Sequence, residues 1–385
     1  MKPWHGLTPM ISVLFLVGVA CSPLGAPAPT GTGGAQLTGK PAGPPLAKPD
    51  GSWDDVLAAA RKEGKVVVAG PPGTSYRDAM RVFEQRFPDI RLEFQGLNPV
   101  DFVVRFQKEH EAGQFLWDVY ITGPTSFDLT AKRAGEIVPI RTVLLLPEVT
   151  DEAIWFGGFE EAYLDREKQY VFAFQAEVSP QVYINRDFIR ENELSTVKGL
   201  LDPKWKGKIA IHDPRMDGAG NGRIASWLGQ LGEDFVRALL RQDVGLTRDS
   251  RQLAEWVVRG QYPIAIGLSP TDLLEFTRAG VEHKVVPLGS RTEPEAWRLS
   301  TAFGAVRLLD GAPDPNAATV FINWLLSKEG QTAWVEKTGR PSRRLDVPRL
   351  EDTSPIPGVS YFDIDREERL ELRDQAKRIA EEILR

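Results

Sequence analysis

The sequence predicts an α/β protein with two lobes joined by crossing strands, and three observations lead to this prediction. The 385 residues are enough for two domains, and 42% hydrophobic with 26% charged residues is ordinary for a globular chain. Apolar strand segments alternate with segments of helical periodicity, a pattern typical of right-handed βαβ units and parallel sheets. The strand material at 170–185 is unusually long and is interrupted by Ser179-Pro180, which indicates a crossing between lobes.

The N-terminus predicts export. The apolar run at 11–20 follows Lys2 and is too short to span a bilayer, but it has the length of a signal-peptide core. Cys21 follows this run directly and resembles the acylated cysteine of bacterial lipoproteins. We therefore predict a lipoprotein signal peptide at 1–20, with Cys21 as the lipid attachment. Gly18 stands where leucine is usual, so cleavage after the small residues at 26–28, or an incidental cysteine, stays open.

Residues 21–51 are predicted to be a flexible tether. Positions 22–51 hold 7 Pro and 7 Gly, with Asp50 as the only acid, which is too little apolar surface to offset the entropy of ordering. No later segment approaches 18 consecutive apolar residues, so the sequence predicts no other membrane anchor.

The first α/β pattern begins at a capping box, Ser52 with Asp55, and its first helix can end at Gly64. Ligands bind at the carboxyl ends of strands in such sheets, so the loops at 70–75 and 123–126 are candidate ligand loops. Their hydroxyls are candidate ligands, although Ser and Thr also cap helices. The predicted helices lie at 53–63, 76–87 and 101–111, the strands at 66–69, 90–94 and 118–122, and the candidate hydroxyls are Thr74, Ser75, Thr125 and Ser126.

A second α/β pattern follows the crossing. It predicts strands at 208–211 and 262–266, helices at 223–231, 233–242 and 251–259, a return strand at 301–306 and a helix at 316–326. The tail at 363–385 is a charged amphipathic helix. We assign lobe 1 to 52–180 plus 301–348, lobe 2 to 181–300, and a C-terminal linker with its helix to 349–385.

The turn at 213–222 is the strongest candidate for a binding site. It precedes a helix, so free backbone N–H groups, the positive end of the helix dipole and an arginine could hold a carboxylate, phosphonate or phosphate. A plain turn before a helix, with solvated arginines, is the alternative. Glu177 at the crossing could pair with an amino group or a sugar hydroxyl, or form a structural salt bridge. The candidate ligands in this part of the chain are Glu177, Ser179, Arg215, Gly218, Asn221, Arg223, Ser269 and Thr271.

Several functional classes are excluded or disfavoured. A formal net charge of -6 argues against binding to nucleic acid. A single cysteine cannot form an internal disulfide or a thiolate cluster. The sequence holds no HExxH motif and no G-x-S-x-G elbow, so a secreted hydrolase is the least favoured class. We predict no enzyme activity, no metal site and no cofactor.

Four segments in order carry a family likeness: WDDVLAAARKEGKVVV at 53–68, LDPKWKGKIAIHDP at 201–214, VRGQYPI at 258–264, and APDPNAA to WLLSKEGQ within 312–331. They resemble the extracellular solute-binding proteins of bacterial ABC importers, especially the ferric-iron-type and related periplasmic binding proteins. The resemblance implies a type II (Venus-flytrap) periplasmic-binding-protein fold that closes on a small-molecule solute. It also implies an ABC permease and ATPase complex as partner, and a monomer held at the outer face of the membrane by its lipid.

Ferric ion is disfavoured as the solute. Ferric binders of this group carry two adjacent tyrosines just after the strand that corresponds to 262–266, whereas this chain has Gly-Leu-Ser-Pro-Thr-Asp at 267–272. No two of its seven tyrosines are adjacent. We therefore expect an organic or phosphorus-containing anion. A binding protein that signals to a membrane kinase has the same fold and remains the alternative to a transporter component.

Overall fold

The computed structural model describes residues 52–280 and 284–384. The predicted signal peptide, Cys21 and the tether lie outside these ranges. Within them, no helix is both long and apolar enough to cross a membrane. The strands of the described chain are β1 Lys65–Gly70, β2 Arg91–Gly96, β3 Val119–Thr122, β4 Ile137–Val138, β5 Phe172–Ala173, β6 Glu177–Pro180, β7 Val182–Asn185, β8 Ile209–His212, β9 Gly245–Thr247, β10 Ile264–Ile266, β11 Val285–Pro287, β12 Trp297–Ser300 and β13 Ala305–Leu309.

The helices connect these strands in the alternating manner that the sequence predicts. They are α1 Trp53–Glu63, α2 Thr74–Arg86, α3 Pro99–Glu111, α4 Ser126–Ala134, α5 Pro147–Thr150, α6 Ala219–Leu240, α7 Ser250–Val258, α8 Pro270–Arg278, α9 Pro315–Leu326, α10 Lys328–Thr338 and α11 Glu371–Ile383.

The first sheet has the strand order β2-β1-β3-β13-β4, with β5 also paired to β13. β1 is parallel to β2 and β3, while β13 returns antiparallel to β3. Its core is apolar on both sides because the helices cover both faces. Fully buried members of this core include Val66, Val68, Ile121 and Phe321.

The second sheet has the order β11-β7-β10-β8-β9. β8 is parallel to β9 and β10, whereas β7 is antiparallel to β10 and β11. A separate apolar core, which includes Ile211, Trp227 and Ile266, packs around it. Each sheet therefore has its own core, and the α/β fold class predicted from the sequence is confirmed.

A two-stranded ladder lies between the sheets along the chain. β6 pairs antiparallel with β12, so that Ser179 faces Arg298 and Glu177 faces Ser300. β6 leads into β7 of the second sheet, and β12 leads into β13 of the first. The ladder is thus made of the two segments by which the chain passes between the sheets.

Helix α6 confirms the predicted break between two helical segments at 223–231 and 233–242, but its start is earlier than predicted. It begins at Ala219 and continues to Leu240, interrupted at Gly232, whose φ of 84° is non-helical. The earlier start brings Gly220 against the end of β8, where a Cβ atom would lie 1.7 Å from the carbonyl oxygen of His212. Only glycine allows that approach, which places the first turn of α6 at the edge of the second sheet.

The C-terminal helix α11 packs on α6. It begins at Glu371, later than the predicted tail helix at 363–385, and buries Ala376, Ile379 and Ala380 against the second core. A Cβ atom on Gly229 of α6 would lie 2.9 Å from Leu372, so the two helices meet at a glycine.

The buried ion pair of Arg307 and Asp128 holds the loop before α4. Arg307 lies on β13 and is fully buried. Its Nε and Nη2 donate to the two carboxylate oxygens of Asp128, and it also donates to the carbonyl oxygens of Thr122, Ala305 and Gly123. These bonds fix the loop at 123–125, because one guanidinium holds the end of β3, the start of that loop and Asp128 of α4 together.

We predict that Arg307→Met lowers the free energy of unfolding by about 3–5 kcal/mol, because it leaves Asp128 buried and unpaired. Denaturant unfolding measures this loss. Arg81→Met, which removes an exposed Arg–Asp pair on α2, is the matched control and should cost less than about 1 kcal/mol. Equal losses in the two variants would contradict the role assigned to Arg307.

Candidate functional site

A cavity of about 510 Å³ adjoins the β6–β12 ladder and takes its lining from both sides of it. Such a volume suits a small solute. Glu177, Ser179, Arg298 and Ser300 line it from the ladder. From the second sheet and its helices come Gly218, Ala219, Arg223, Ser250, Gly267, Ser269 and Asp272, and from the remaining chain Ala302, Phe303, Arg340 and Arg373.

Three helix N-termini meet at this cavity, and they differ in their capping. At α7, Asp249 accepts from the N–H groups of Arg251 and Gln252, and at α8 Asp272 accepts from the N–H and hydroxyl of Ser269. The N-cap of α6 is Gly218, which makes no side-chain cap. The first N–H groups of α6 therefore keep their capacity to bind an anion.

Arg223 is a buried cation beside the cavity. Its side chain is 4% exposed, and its Nη2 donates to the carbonyl oxygens of Pro180 at 3.4 Å and Leu268 at 3.0 Å. Its Nε has no hydrogen-bond partner, and no carboxylate of the described residues forms an ion pair with it. Burial, with the like charge of Arg298 as the second cause, lowers the pKa of Arg223 to about 9.

Arg298 adds a second guanidinium with unused donors. Its Nε and Nη1 are buried without a hydrogen-bond partner in the described chain. Burial lowers its pKa, the charge of Asp365 opposes this shift, and the like charge of Arg373 adds to it. Its Nη1 lies 3.4 Å from the point that a Cβ atom on Gly222 would occupy, so it reaches the first turn of α6.

Glu177, one of the two carboxylates that line the cavity, already has hydrogen-bond partners. Glu177 accepts from Nη1 of Arg340 at 2.8 Å and from Nε2 of Gln175 at 3.2 Å. Among the described residues that line the cavity, four are arginines and two are carboxylates, for a formal charge of +2. The cavity is therefore electropositive within a chain whose total charge is -6.

Five of the candidate ligands predicted from the sequence line this cavity. They are Glu177, Ser179, Gly218, Arg223 and Ser269. Thr271 lies in α8, but its side chain is outside the described part of the structure.

The four hydroxyl residues of the first lobe lie elsewhere. Thr74 and Ser75 begin α2, and neither lines the cavity. Thr125 donates its backbone N–H to Asp128, and Ser126 begins α4. Of the four, only Thr125 is an N-cap, that of α4, whereas the N-cap of α2 is Gly73. Phe303 and Ala302 line this side of the cavity instead.

Arg215 and Asn221 contact the C-terminal helix instead of the cavity. Arg215 donates to both oxygens of Asp213 and, through Nη1, to the carbonyl oxygen of Leu384 at 2.6 Å. Asn221 is 1% exposed, and its Nδ2 donates to the carbonyl oxygen of Arg373 at 2.9 Å. The polar residues of the 213–222 turn thus divide between the cavity and α11.

The sequence interpretation missed Arg298, Arg340 and Arg373. Arg298 sits in a short strand and Arg373 in a charged amphipathic helix, where arginines usually face solvent. No local motif marks them, because each reaches the cavity only through the packing of distant segments. None of the described side chains that line the cavity is a tyrosine.

Comparison with solved structures shows the same fold at low identity. The chain matches an iron-binding protein of Trichodesmium (IdiA, FutA) in complex with iron and citrate ligands, with 18% identity, a TM-score of 0.64 and coverage of 83% of this chain and 99% of that one. It also matches the periplasmic binding protein AfuA of Actinobacillus pleuropneumoniae with fructose-6-phosphate bound, with 20% identity, a TM-score of 0.53 and coverage of 83% and 97%. These matches establish a two-lobed binding-protein fold.

A curated relative from Haemophilus influenzae, an uncharacterized protein, is 31% identical over 142 residues, which are 36% of this chain and 39% of the relative. The chain thus matches well under half of that relative's length. The family model described as bacterial extracellular solute-binding protein matches residues 78–356. Because this match spans more than half of the 385 residues, the chain belongs to the bacterial extracellular solute-binding proteins, a family of binding proteins and not of enzymes.

Proposed function

We propose that this protein is the substrate-binding component of an ABC importer, which captures a small organic or phosphorus-containing anion between its lobes and delivers it to a membrane permease. One observation carries the choice of an anion. Arg223 is buried at the cavity without a carboxylate partner in the described chain, and Arg298, its neighbour, has unused donors.

The physical argument concerns the cost of burying like charges. A buried cation is unfavourable unless a counter-charge and hydrogen bonds compensate for its lost hydration. Arg223 donates hydrogen bonds only to carbonyl oxygens among the described residues, and the like charge of Arg298 opposes its protonated form. Asp272 and Glu177 favour that form but make no ion pair with Arg223, so they offset the burial of its charge only in part. An anion in the cavity would supply the missing charge, and guanidinium groups bind carboxylate and phosphate through paired hydrogen bonds.

The uncapped start of α6 supports the same choice. Gly218 and Ala219 line the cavity. The backbone N–H groups at the start of α6 can therefore donate hydrogen bonds to an anion, and the positive end of the helix dipole adds to the attraction. Two of the solved structures with this fold hold anionic organic molecules, citrate together with iron in one and fructose-6-phosphate in the other. A ferric cargo does not fit a cavity whose described lining has a formal charge of +2 and no tyrosine.

The N-terminus completes the proposal. A lipid on Cys21 would hold the protein at the outer face of the membrane, with the Pro- and Gly-rich residues 22–51 as the tether that gives it reach. The partner is then the permease and ATPase complex, and the protein acts as a monomer. Its site needs no cofactor, because capture requires only charge and hydrogen-bond complementarity.

We predict that an anion stabilises the protein and that Arg223→Met and Arg298→Met each abolish most of this effect. An anion at about 100 times its dissociation constant should add about 2.7 kcal/mol to the free energy of unfolding. A thermal-shift panel of inorganic phosphate, fructose 6-phosphate, citrate, an aminophosphonate, glucose, spermidine and a ferric salt measures it. Arg259→Met, an exposed arginine on the same side of the crossing, should respond as the parent protein does.

Two outcomes of this panel would contradict the proposal. One is stabilisation by glucose, spermidine or the ferric salt while every anion leaves the melting temperature unchanged. The other is stabilisation by an anion that is equal in the parent protein and in both cavity variants, because binding would then lie outside the cavity.

We predict that Cys21→Ala moves the full-length protein from the membrane fraction to the soluble fraction of the expressing bacterium, because the thiol that carries the lipid is lost. Ser22→Ala, the matched change at the next residue, should leave the protein in the membrane fraction. Cell fractionation with immunoblotting measures both. Unchanged membrane association of Cys21→Ala would show that Cys21 is not the anchor.

A further inference from the structure

The C-terminal helix is attached to the same turn of chain that forms the cavity. Asn221, in the first turn of α6, donates to the carbonyl oxygen of Arg373 at 2.9 Å, and Arg215 donates to that of Leu384 at 2.6 Å. Leu372 and Phe362 pack at Gly229, where any larger residue would collide with them. Both ends of α11 are therefore fixed relative to the start of α6.

This attachment directs the side chain of Arg373 to the cavity. Its Nη2 donates to Oδ1 of Asp365 at 2.8 Å, and its Nη1 lies 3.5 Å from the point that a Cβ atom on Gly222 would occupy. Nη1 of Arg298 lies 3.4 Å from the same point. The two nitrogen atoms can be no farther apart than the sum of these distances, so both guanidiniums reach one turn of α6.

Asp365 connects Arg373 to the ladder as well. It is 4% exposed, and besides Arg373 it accepts from the N–H of Thr301 at 2.8 Å and the hydroxyl of Ser300 at 3.2 Å. Ser300 lines the cavity at the end of β12. One buried carboxylate thus fixes the position of Arg373 and the end of a crossing strand together.

We propose that the C-terminal segment beyond the family match is part of the solute site, and that Arg373 binds the anion together with Arg223 and Arg298. The family match ends at residue 356, so both Asp365 and Arg373 lie outside the matched range. This proposal rests on the anion site proposed above. It assigns the affinity and selectivity of that site partly to residues outside the range of the family match.

The positions of the three arginines support this assignment. Arg298 is close enough to interact with both of the others. Besides burial, its positive charge lowers the pKa of Arg223, and the positive charge of Arg373 likewise lowers the pKa of Arg298. Within the described chain, Asp365 accepts a hydrogen bond from Nη2 of Arg373 and not from its Nη1. The Arg373 side chain is 29% exposed. An anion at the start of α6 would therefore meet Arg373 without breaking its pair with Asp365.

The test is a calorimetric titration of the full chain with inorganic phosphate at neutral pH and low salt. Arg373→Met should weaken phosphate binding about 10- to 100-fold, the loss expected for one hydrogen bond between charged groups. Arg373→Lys keeps the charge and should retain more of the affinity than Arg373→Met. Arg378→Met, which removes an exposed arginine from the same helix, is the matched control and should bind as the parent protein does.

The outcomes separate this proposal from the anion site itself. If Arg223→Met weakens phosphate binding while Arg373→Met binds as the parent does, the C-terminal segment has no part in the site and the proposed function stands. If the parent protein binds neither phosphate nor any other anion of the thermal-shift panel, the anion site is contradicted and the role of Arg373 with it; if it binds another anion of the panel, the same variants are titrated with that anion. Melting temperatures without phosphate check folding, and equal affinity losses in Arg373→Met and Arg378→Met would also overturn the proposal.

Discussion

The structure depends most on Arg223, a cation that the start of α6 buries beneath the crossing strands with no carboxylate partner in the described chain. Its Nη2 joins the carbonyl oxygens of Pro180, at the end of β6, and Leu268, after β10, so one side chain ties the crossing to the second sheet. A buried cation without an ion-pair partner is unfavourable, and the like charge of Arg298 increases that cost, while the charges of Asp272 and Glu177 offset part of it. In the proposed function, an anionic solute in the adjoining cavity would compensate these buried positive charges.

Much of the fold could be predicted because it rests on local signals. The capping box of Ser52 and Asp55 and the left-handed Gly64 bound α1 as the sequence indicates. The alternation of strands and helices predicts the parallel pairs of both sheets. The start of α6 could not be predicted, because it depends on contact between Gly220 and the end of β8. The start of α11 likewise depends on how residues 363–369 pack between distant segments and not on their own periodicity.

The position of the site could be predicted from the sequence, but several of the residues that line it could not. The turn at 213–222 does lie at the cavity through Gly218, and Arg223 follows it. The partner of Asn221 is 152 residues away in sequence, so no pattern in the turn could show that this side chain binds the C-terminal helix. Nothing in the sequence around Arg298 and Arg373 marks them as ligands, because only the packing of the ladder and of α11 brings their side chains to α6. Charge at the cavity is therefore set by long-range packing, and the acidic total of the chain gives no indication of it.

The proposed function requires an anion in the space beside Arg223 and Arg298. A crystal structure of the protein purified without denaturation, with the solute it retains, tests this most directly. We expect a negatively charged group within hydrogen-bonding distance of both guanidiniums, near the first turn of α6. A neutral or cationic solute, or a ferric ion, held in the cavity without contact to either arginine would show that the site is not an anion site.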